Sequence, residues 1–194
     1  MTLIDFDGTI VDLWPRYHRV FCTLTNAQVD LHTYKKAKQV YKRDESLARY
    51  LGVELPEDYF PRKAVLLEET EYLALDRLLV CGNQLLRFME QKNAWILTAR
   101  RRPDHFLWEL DYLGLSALRD RAICVNGSKT AWVEQHVPGE GIMIGDDVKD
   151  LQVVVASNLQ AIMVLTGLCT AEDFRSTGLP HTLRQSLEEY MDRG

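Results

Sequence analysis

Two aspartates separated by a single residue stand at the end of an apolar run near the N-terminus, in Leu3-Ile4-Asp5-Phe6-Asp7-Gly8-Thr9. On a strand, residues i and i+2 project to the same side, so Asp5 and Asp7 are expected to face one site while Phe6 packs away. Two crowded carboxylates repel unless a cation or a proton lies between them. A hard divalent ion such as Mg²⁺ would relieve that repulsion and leave a carboxylate oxygen free to attack an electrophile. The plainer reading of the same residues is an acidic strand exit, because Asp-Gly is a common turn pair and Gly8 permits a sharp turn.

Three more polar groups follow apolar runs in the same way. Gly145-Asp146-Asp147-Val148-Lys149-Asp150 gathers three acids behind Ile142-Met143-Ile144. Such crowding suits either a cation site or the capping of a helix that starts at Val148. Thr98 and Ala99 close Trp95-Ile96-Leu97, where a hydroxyl and successive backbone N–H groups could cradle a phosphate oxyanion, although threonine at a strand end is also unremarkable. Lys129, at the start of a short helical pattern, could neutralise both the aspartates and a phosphoryl group, or be one more surface lysine. Arg100, Arg101 and Arg102 could add positive charge there, although a run of three arginines more often reads as solvated surface. The common placement of these groups matters as much as their identity, because ligands of open α/β sheets bind beyond the carboxyl ends of the strands.

The elements that must position them are short. Five nearly continuous apolar runs, 2–6, 95–98, 122–125, 141–144 and 161–165, suit strands covered on both faces of a parallel sheet. Helical patterns at 83–92, 102–112, 129–136, 148–157 and 183–191 alternate with them, and Gly114 is a stop signal. Strands alternating with helices of this length imply right-handed βαβ units, so the fold class is α/β with a doubly wound parallel sheet. Between 14 and 81 no strand is expected. Helical patterns at 15–25, 34–51 and 61–80 suggest an all-helical insert, leaving 1–13 and 82–194 as the core domain. Lys35, Lys36, Lys38 and Lys42 read as a solvated face of the middle helix.

Composition narrows the function classes. The chain has 194 residues, 46% hydrophobic and 26% charged, which suits one folded core with a modest insert. A net charge of −5 gives no support for sequence-independent nucleic-acid binding. No run approaches the roughly 18 apolar residues of a membrane span, and no signal peptide is visible, so a cytoplasmic protein is expected. Cys22, Cys81, Cys124 and Cys169 show no paired metal-ligand spacing, so buried reduced thiols are expected.

Taken together, these motifs resemble the haloacid dehalogenase-like hydrolases over nearly the whole chain. Asp5, Asp7, Gly8 and Thr9 match the family's D-x-D-G-T signature, and Asp12 extends it. Thr98 matches the hydroxyl-bearing second motif, Lys129 the lysine, and Gly145, Asp146 and Asp150 the G-D-x-x-x-D motif. The resemblance implies a Rossmann-like core with a helical cap of the C1 type at 14–81. It implies a phosphatase acting on a small phosphorylated metabolite through an aspartyl-phosphate on Asp5, with Asp7 as acid and base. Mg²⁺ would be held by Asp5, the Asp7 carbonyl and Asp146, with Thr9 and Asp150 in support. Thr98, Ala99 and Lys129 would bind the phosphoryl group. Asp147 is an extra acid, either ligand or helix cap. A phosphomutase or phosphotransferase of the same fold, or a binding module without turnover, are the alternatives. A dehalogenase would have no use for Asp7, and a phosphonate hydrolase would need a reactive cap lysine. Arg16 or His18 is expected to meet a second anionic group of the substrate.

Overall fold

Segments too apolar to face water on either side become the strands of a parallel sheet. The computed structural model describes residues 1–193. It contains β1 (Thr2–Ile4), β2 (Val11–Asp12), β3 (Arg77–Leu78), β4 (Ala94–Ala99), β5 (Ala122–Val125), β6 (Gly141–Gly145), β7 (Leu159–Val164) and β8 (Thr182–Arg184). Six of these form one sheet in the order β5-β4-β1-β6-β7-β8, every neighbouring pair parallel. Counted along the chain, that order is 3-2-1-4-5-6, the doubly wound arrangement whose ligand crevice opens where the order reverses beside the first strand. The helix expected over 183–191 is shorter, and a strand, β8, precedes it. Thr182, Leu183 and Arg184 instead pair with Ile162, Met163 and Val164, completing the sheet edge.

The chain divides into two compact units, Met1–Asp12 together with the chain from Arg77 onward, and Leu13–Asp76. The second is helical, with α1 (Trp14–Thr25), α2 (Leu31–Tyr41), α3 (Asp44–Leu51), α4 (Tyr59–Leu66) and α5 (Thr70–Leu73). The single helix expected over 34–51 is two. Lys42 has φ +54° and Arg43 is extended, so the chain folds back between them. This turn brings Asp44 to the buried Lys38 ammonium at 2.6 Å, with Lys63 on the other carboxylate oxygen. Lys38 is therefore no part of a solvated face. The long helix expected over 61–80 also breaks, and Arg77–Leu78 pairs antiparallel with Val11–Asp12, so a strand does lie before residue 81.

Arg16 corrects another expectation. It is 2% exposed, paired with Asp76 at 3.0 Å and donating to the Leu67 carbonyl at 2.9 Å, so it staples its own unit together. His18 Nε2–H donates to the Val29 carbonyl at 2.7 Å.

Alternating side chains of the sheet divide into two cores. Ile4, Phe6, Ile96 and Ile144 pack with Leu85, Phe88 and Met89 of α6 (Gly82–Gln91), Phe106 and Leu110 of α7 (Pro103–Tyr112) and Leu187 of α11 (Leu187–Arg193). Leu3, Leu97, Met143 and Met163 pack with Val133 of α8 (Lys129–His136), Leu151 and Val154 of α9 (Val148–Val155) and Phe174 of α10 (Ala171–Ser176). Each such side chain contributes about 1.5–3 kcal/mol by leaving water. None of the four cysteines forms a disulfide; Cys169 is buried, whereas Cys81 is exposed, against expectation. No helix among the described residues is long and apolar enough to cross a membrane.

The buried lysine gives a stability test. Asp44→Ala strands the Lys38 ammonium, and is expected to destabilise the protein by about 3–5 kcal/mol, read as a lower midpoint in urea unfolding.

Candidate active site

The site assembles because β1 and β6 are neighbours. The Asp5 N–H donates to the Ile144 carbonyl at 2.8 Å, which extends the register just past β1 and sets Asp5 beside the residue following Gly145. That residue is Asp146. Asp5 and Asp146 are 5% and 3% exposed. Asp150, in the first turn of α9, joins them, and the three offer carboxylate oxygens that all lie within 4.8 Å of one another.

Close backbone approach holds the acids in place. Gly8 sits at φ +79°, and a Cβ there would fall 2.5 Å from Asp146 Oδ2. Gly167, in the loop after β7, approaches closer still, with a Cβ position 1.6 Å from the same oxygen. The Leu168 N–H donates to Asp146 Oδ2 at 3.2 Å, the Thr9 hydroxyl to Oδ1 at 3.4 Å, and the Thr166 hydroxyl to the Gly8 carbonyl at 2.5 Å. Asp147 resolves as a helix cap. Its carboxylate accepts from the Lys149 N–H at 2.8 Å, while Asp150 Oδ2 accepts from the Asp147 N–H at 3.3 Å.

Lys129 reaches in from the first turn of α8, whose Ser128 cap accepts from the Ala131 N–H. Its ammonium donates to Asp5 Oδ1 at 2.5 Å and Asp150 Oδ1 at 2.7 Å. Burial alone would lower the Lys129 pKa, but Asp150 and Asp5 outweigh it and raise the group above its ordinary value. Burial, with Asp150 and Asp7 nearby, pushes Asp5 from 3.8 up to about 7 against the pull of Lys129. Asp146 rises well above its usual range through burial, then Asp5, Asp150 and Asp147. The cluster is short of positive charge. Its donors are hard oxygens, so the residues present fit a divalent cation of the Mg²⁺ or Ca²⁺ type.

Asp7 is held elsewhere. Arg100 Nε donates to its Oδ2 at 3.0 Å and Nη2 to its Oδ1 at 2.7 Å. Arg100 is 4% exposed, so the solvated-run reading fails at this residue. Its Nη1 donates to Glu109 Oε2 at 2.6 Å, and its guanidinium carbon lies 5.4 Å from the ring centres of both Phe6 and Phe106. The signal available in the sequence was Glu109, an acid on the buried face of α7 beside Phe106 and Leu110, which demands a buried cation. Thr98 lies buried at the end of β4 opposite Cys124, and Ala99 follows it, exposed. Thr166 and Gly167 carried no sequence signal, since their role is backbone approach.

No protein-family model matches the sequence, and no curated protein does. Solved structures do. A haloacid dehalogenase-like family hydrolase from Streptococcus pneumoniae superposes with TM-score 0.70 at 16% identity, over 100% of this chain and 97% of that one. A predicted phosphatase from Clostridium acetobutylicum gives 0.69 at 16% identity, over 99% and 96%. The fold is that of the haloacid dehalogenase-like hydrolases. A hydrolase of that family from Deinococcus radiodurans R1, solved with bound phosphate and sodium, gives 0.67 at 17% identity, over 95% and 90%.

Two outcomes follow from this geometry. Gly167→Ala has no room for its methyl group against Asp146, so divalent-cation affinity is expected to fall by about 10-fold or more, measured by calorimetry. In the metal-free protein Asp5 keeps its proton up to about pH 7 when folded but only to 3.8 when unfolded. The folded state then binds more protons in that window, so stability drops as pH rises through it. Asp5→Asn is expected to raise the metal-free Tm at pH 8, with the gain shrinking towards pH 4.

Proposed function

We propose that this chain is a Mg²⁺-dependent phosphatase that hydrolyses a small phosphorylated metabolite through an aspartyl-phosphate on Asp5. The observation that carries the reading is the convergence of Asp5, Asp146 and Asp150 beyond the carboxyl ends of β1 and β6, with the Lys129 ammonium donating to Asp5 and Asp150. The fold shared with a phosphate-bound hydrolase supports it. Asp5, the Asp7 carbonyl and Asp146 would hold the ion, with Thr9 and Asp150 supporting them. When bound, the ion supplies neutralising charge for the phosphoryl oxygens.

The protein's own groups then divide the work. An Asp5 oxygen forms a bond to phosphorus as the ester P–O bond breaks, and Asp7 gives a proton to the departing alcohol oxygen. A water molecule next attacks phosphorus, Asp7 takes its proton, and the bond to Asp5 breaks to release phosphate. Lys129 steadies Asp5 and offsets charge on the transferring group, with Thr98 and the Ala99 N–H as further contacts. The helical unit Leu13–Asp76 takes the role of the substrate-selecting cap. A cytoplasmic setting belongs to the same reading.

Purified protein is expected to release phosphate from p-nitrophenyl phosphate with Mg²⁺, to stop with EDTA, and to recover on adding Mg²⁺. Asp5→Asn should lower kcat by about 10³-fold or more. Phosphate release by the Asp5→Asn protein at the wild-type rate would overturn the assignment.

A further inference from the structure

We propose that Arg100, braced by Glu109, is a positioning residue that fixes the orientation of the Asp7 carboxyl group for proton transfer to the leaving oxygen. The proposal rests on the phosphatase reading above, and concerns a residue pair that none of the matched motifs contains.

A planar guanidinium presents its N–H groups in a rigid fork that matches a carboxylate edge, which a lysine cannot imitate. Here the fork meets Asp7 through Nε at 3.0 Å and Nη2 at 2.7 Å, one donor to each oxygen. Two contacts fix both the torsion and the plane of the carboxyl group, where one contact would leave it free to rotate. The fork is itself immobile. Nη1 is bound to Glu109 at 2.6 Å, and Glu109 is fully buried. Phe6 and Phe106, edge to face with ring centres 5.0 Å apart, both lie 5.4 Å from the guanidinium carbon. The Arg100 N–H donates to the Val125 carbonyl at 3.1 Å, fixing the backbone at the strand end. Asp7 is the most exposed member of this chain of contacts, its side chain 26% accessible against 3% for Arg100 and 0% for Glu109. The rigid part is thus buried and the reactive carboxyl group stands at its outer end, the arrangement a proton-transfer group needs, since displacements of about 1 Å can cost 100-fold in rate. A buried ion pair kept only for stability would have no reason to extend to a partly exposed carboxylate.

The test separates positioning from simple structural support. A good leaving group departs without a proton, whereas a poor one needs it, so a misaimed Asp7 harms only the second. We would compare p-nitrophenyl phosphate with phenyl phosphate for wild type, Asp7→Asn, Arg100→Lys and the double variant Arg100→Met/Glu109→Gln, which strands no buried charge. Arg100→Lys is expected to lower kcat/KM for phenyl phosphate by about 10–100-fold and for p-nitrophenyl phosphate by about threefold or less. Inhibition by inorganic phosphate should stay nearly unchanged. Adding Arg100→Lys to Asp7→Asn should bring no further loss, because the two act as one unit.

Equal losses on the two esters, weakened phosphate inhibition in step with them, or losses that multiply with Asp7→Asn would each overturn the proposal. If the double variant does not fold, Arg100→Lys carries the same comparison alone. Active wild type with no leaving-group effect in Arg100→Lys rejects the positioning role and leaves the phosphatase reading standing. Wild type without Asp5-dependent phosphate release rejects both.

Discussion

Repulsion among Asp5, Asp146 and Asp150, which the Lys129 ammonium relieves only in part, sets the terms on which the rest of this core is built. Two like charges about 4 Å apart repel by roughly 4 kcal/mol at an effective dielectric constant near 20. Such a cluster persists only if the surrounding structure holds it. The holding is done by backbone: Gly8 and Gly167 lie against Asp146, and Gly145 against Asp150, each closer than any side chain would allow. The sheet contributes the remainder, since hydrogen bonding between β1 and β6 fixes the spacing of the chain exits that carry Asp5 and Asp146.

A second charge system stands beside the first and obeys a different rule. Arg100, Glu109 and Asp7 balance one cation against two acids in a line that runs from the apolar core outward. Removing either inner member alone would strand a buried charge, a loss of about 3–5 kcal/mol. The two systems meet at the Asp5-Phe6-Asp7 segment, where Asp5 joins the cluster around Lys129 and Phe6 packs under Arg100. The proposed nucleophile and the proposed proton donor, two residues apart, thus answer to different cations, Lys129 and Arg100, while Asp7 stays near enough to raise the Asp5 pKa.

The helical unit shows the same economy of buried charge. Lys38 and Lys63 converge on Asp44, and Arg16 on Asp76, so charged side chains there organise turns and helix ends more than they face water. These pairs also explain where periodicity misled. The apolar pattern across 34–51 is compatible with one helix, yet the ammonium of Lys38 needs a carboxylate, and the positive-φ turn at Lys42 delivers one.

Read alone, the sequence determined the parallel core strands, their alternation with helices, and the acids and lysine at the strand ends. Those features are local, because strand burial demands continuous apolar runs and the acids follow directly in the chain. Only the tertiary structure decided that Asp147 caps a helix, that Arg16 and Lys38 are internal staples, that β8 closes the sheet edge, and that Arg100 belongs to Asp7 and not to solvent. Each of these depends on a partner distant in the chain or on one oxygen choosing between two donors. An arginine in a run of three looks like its neighbours until Glu109, on another element, supplies the charge that makes its burial affordable.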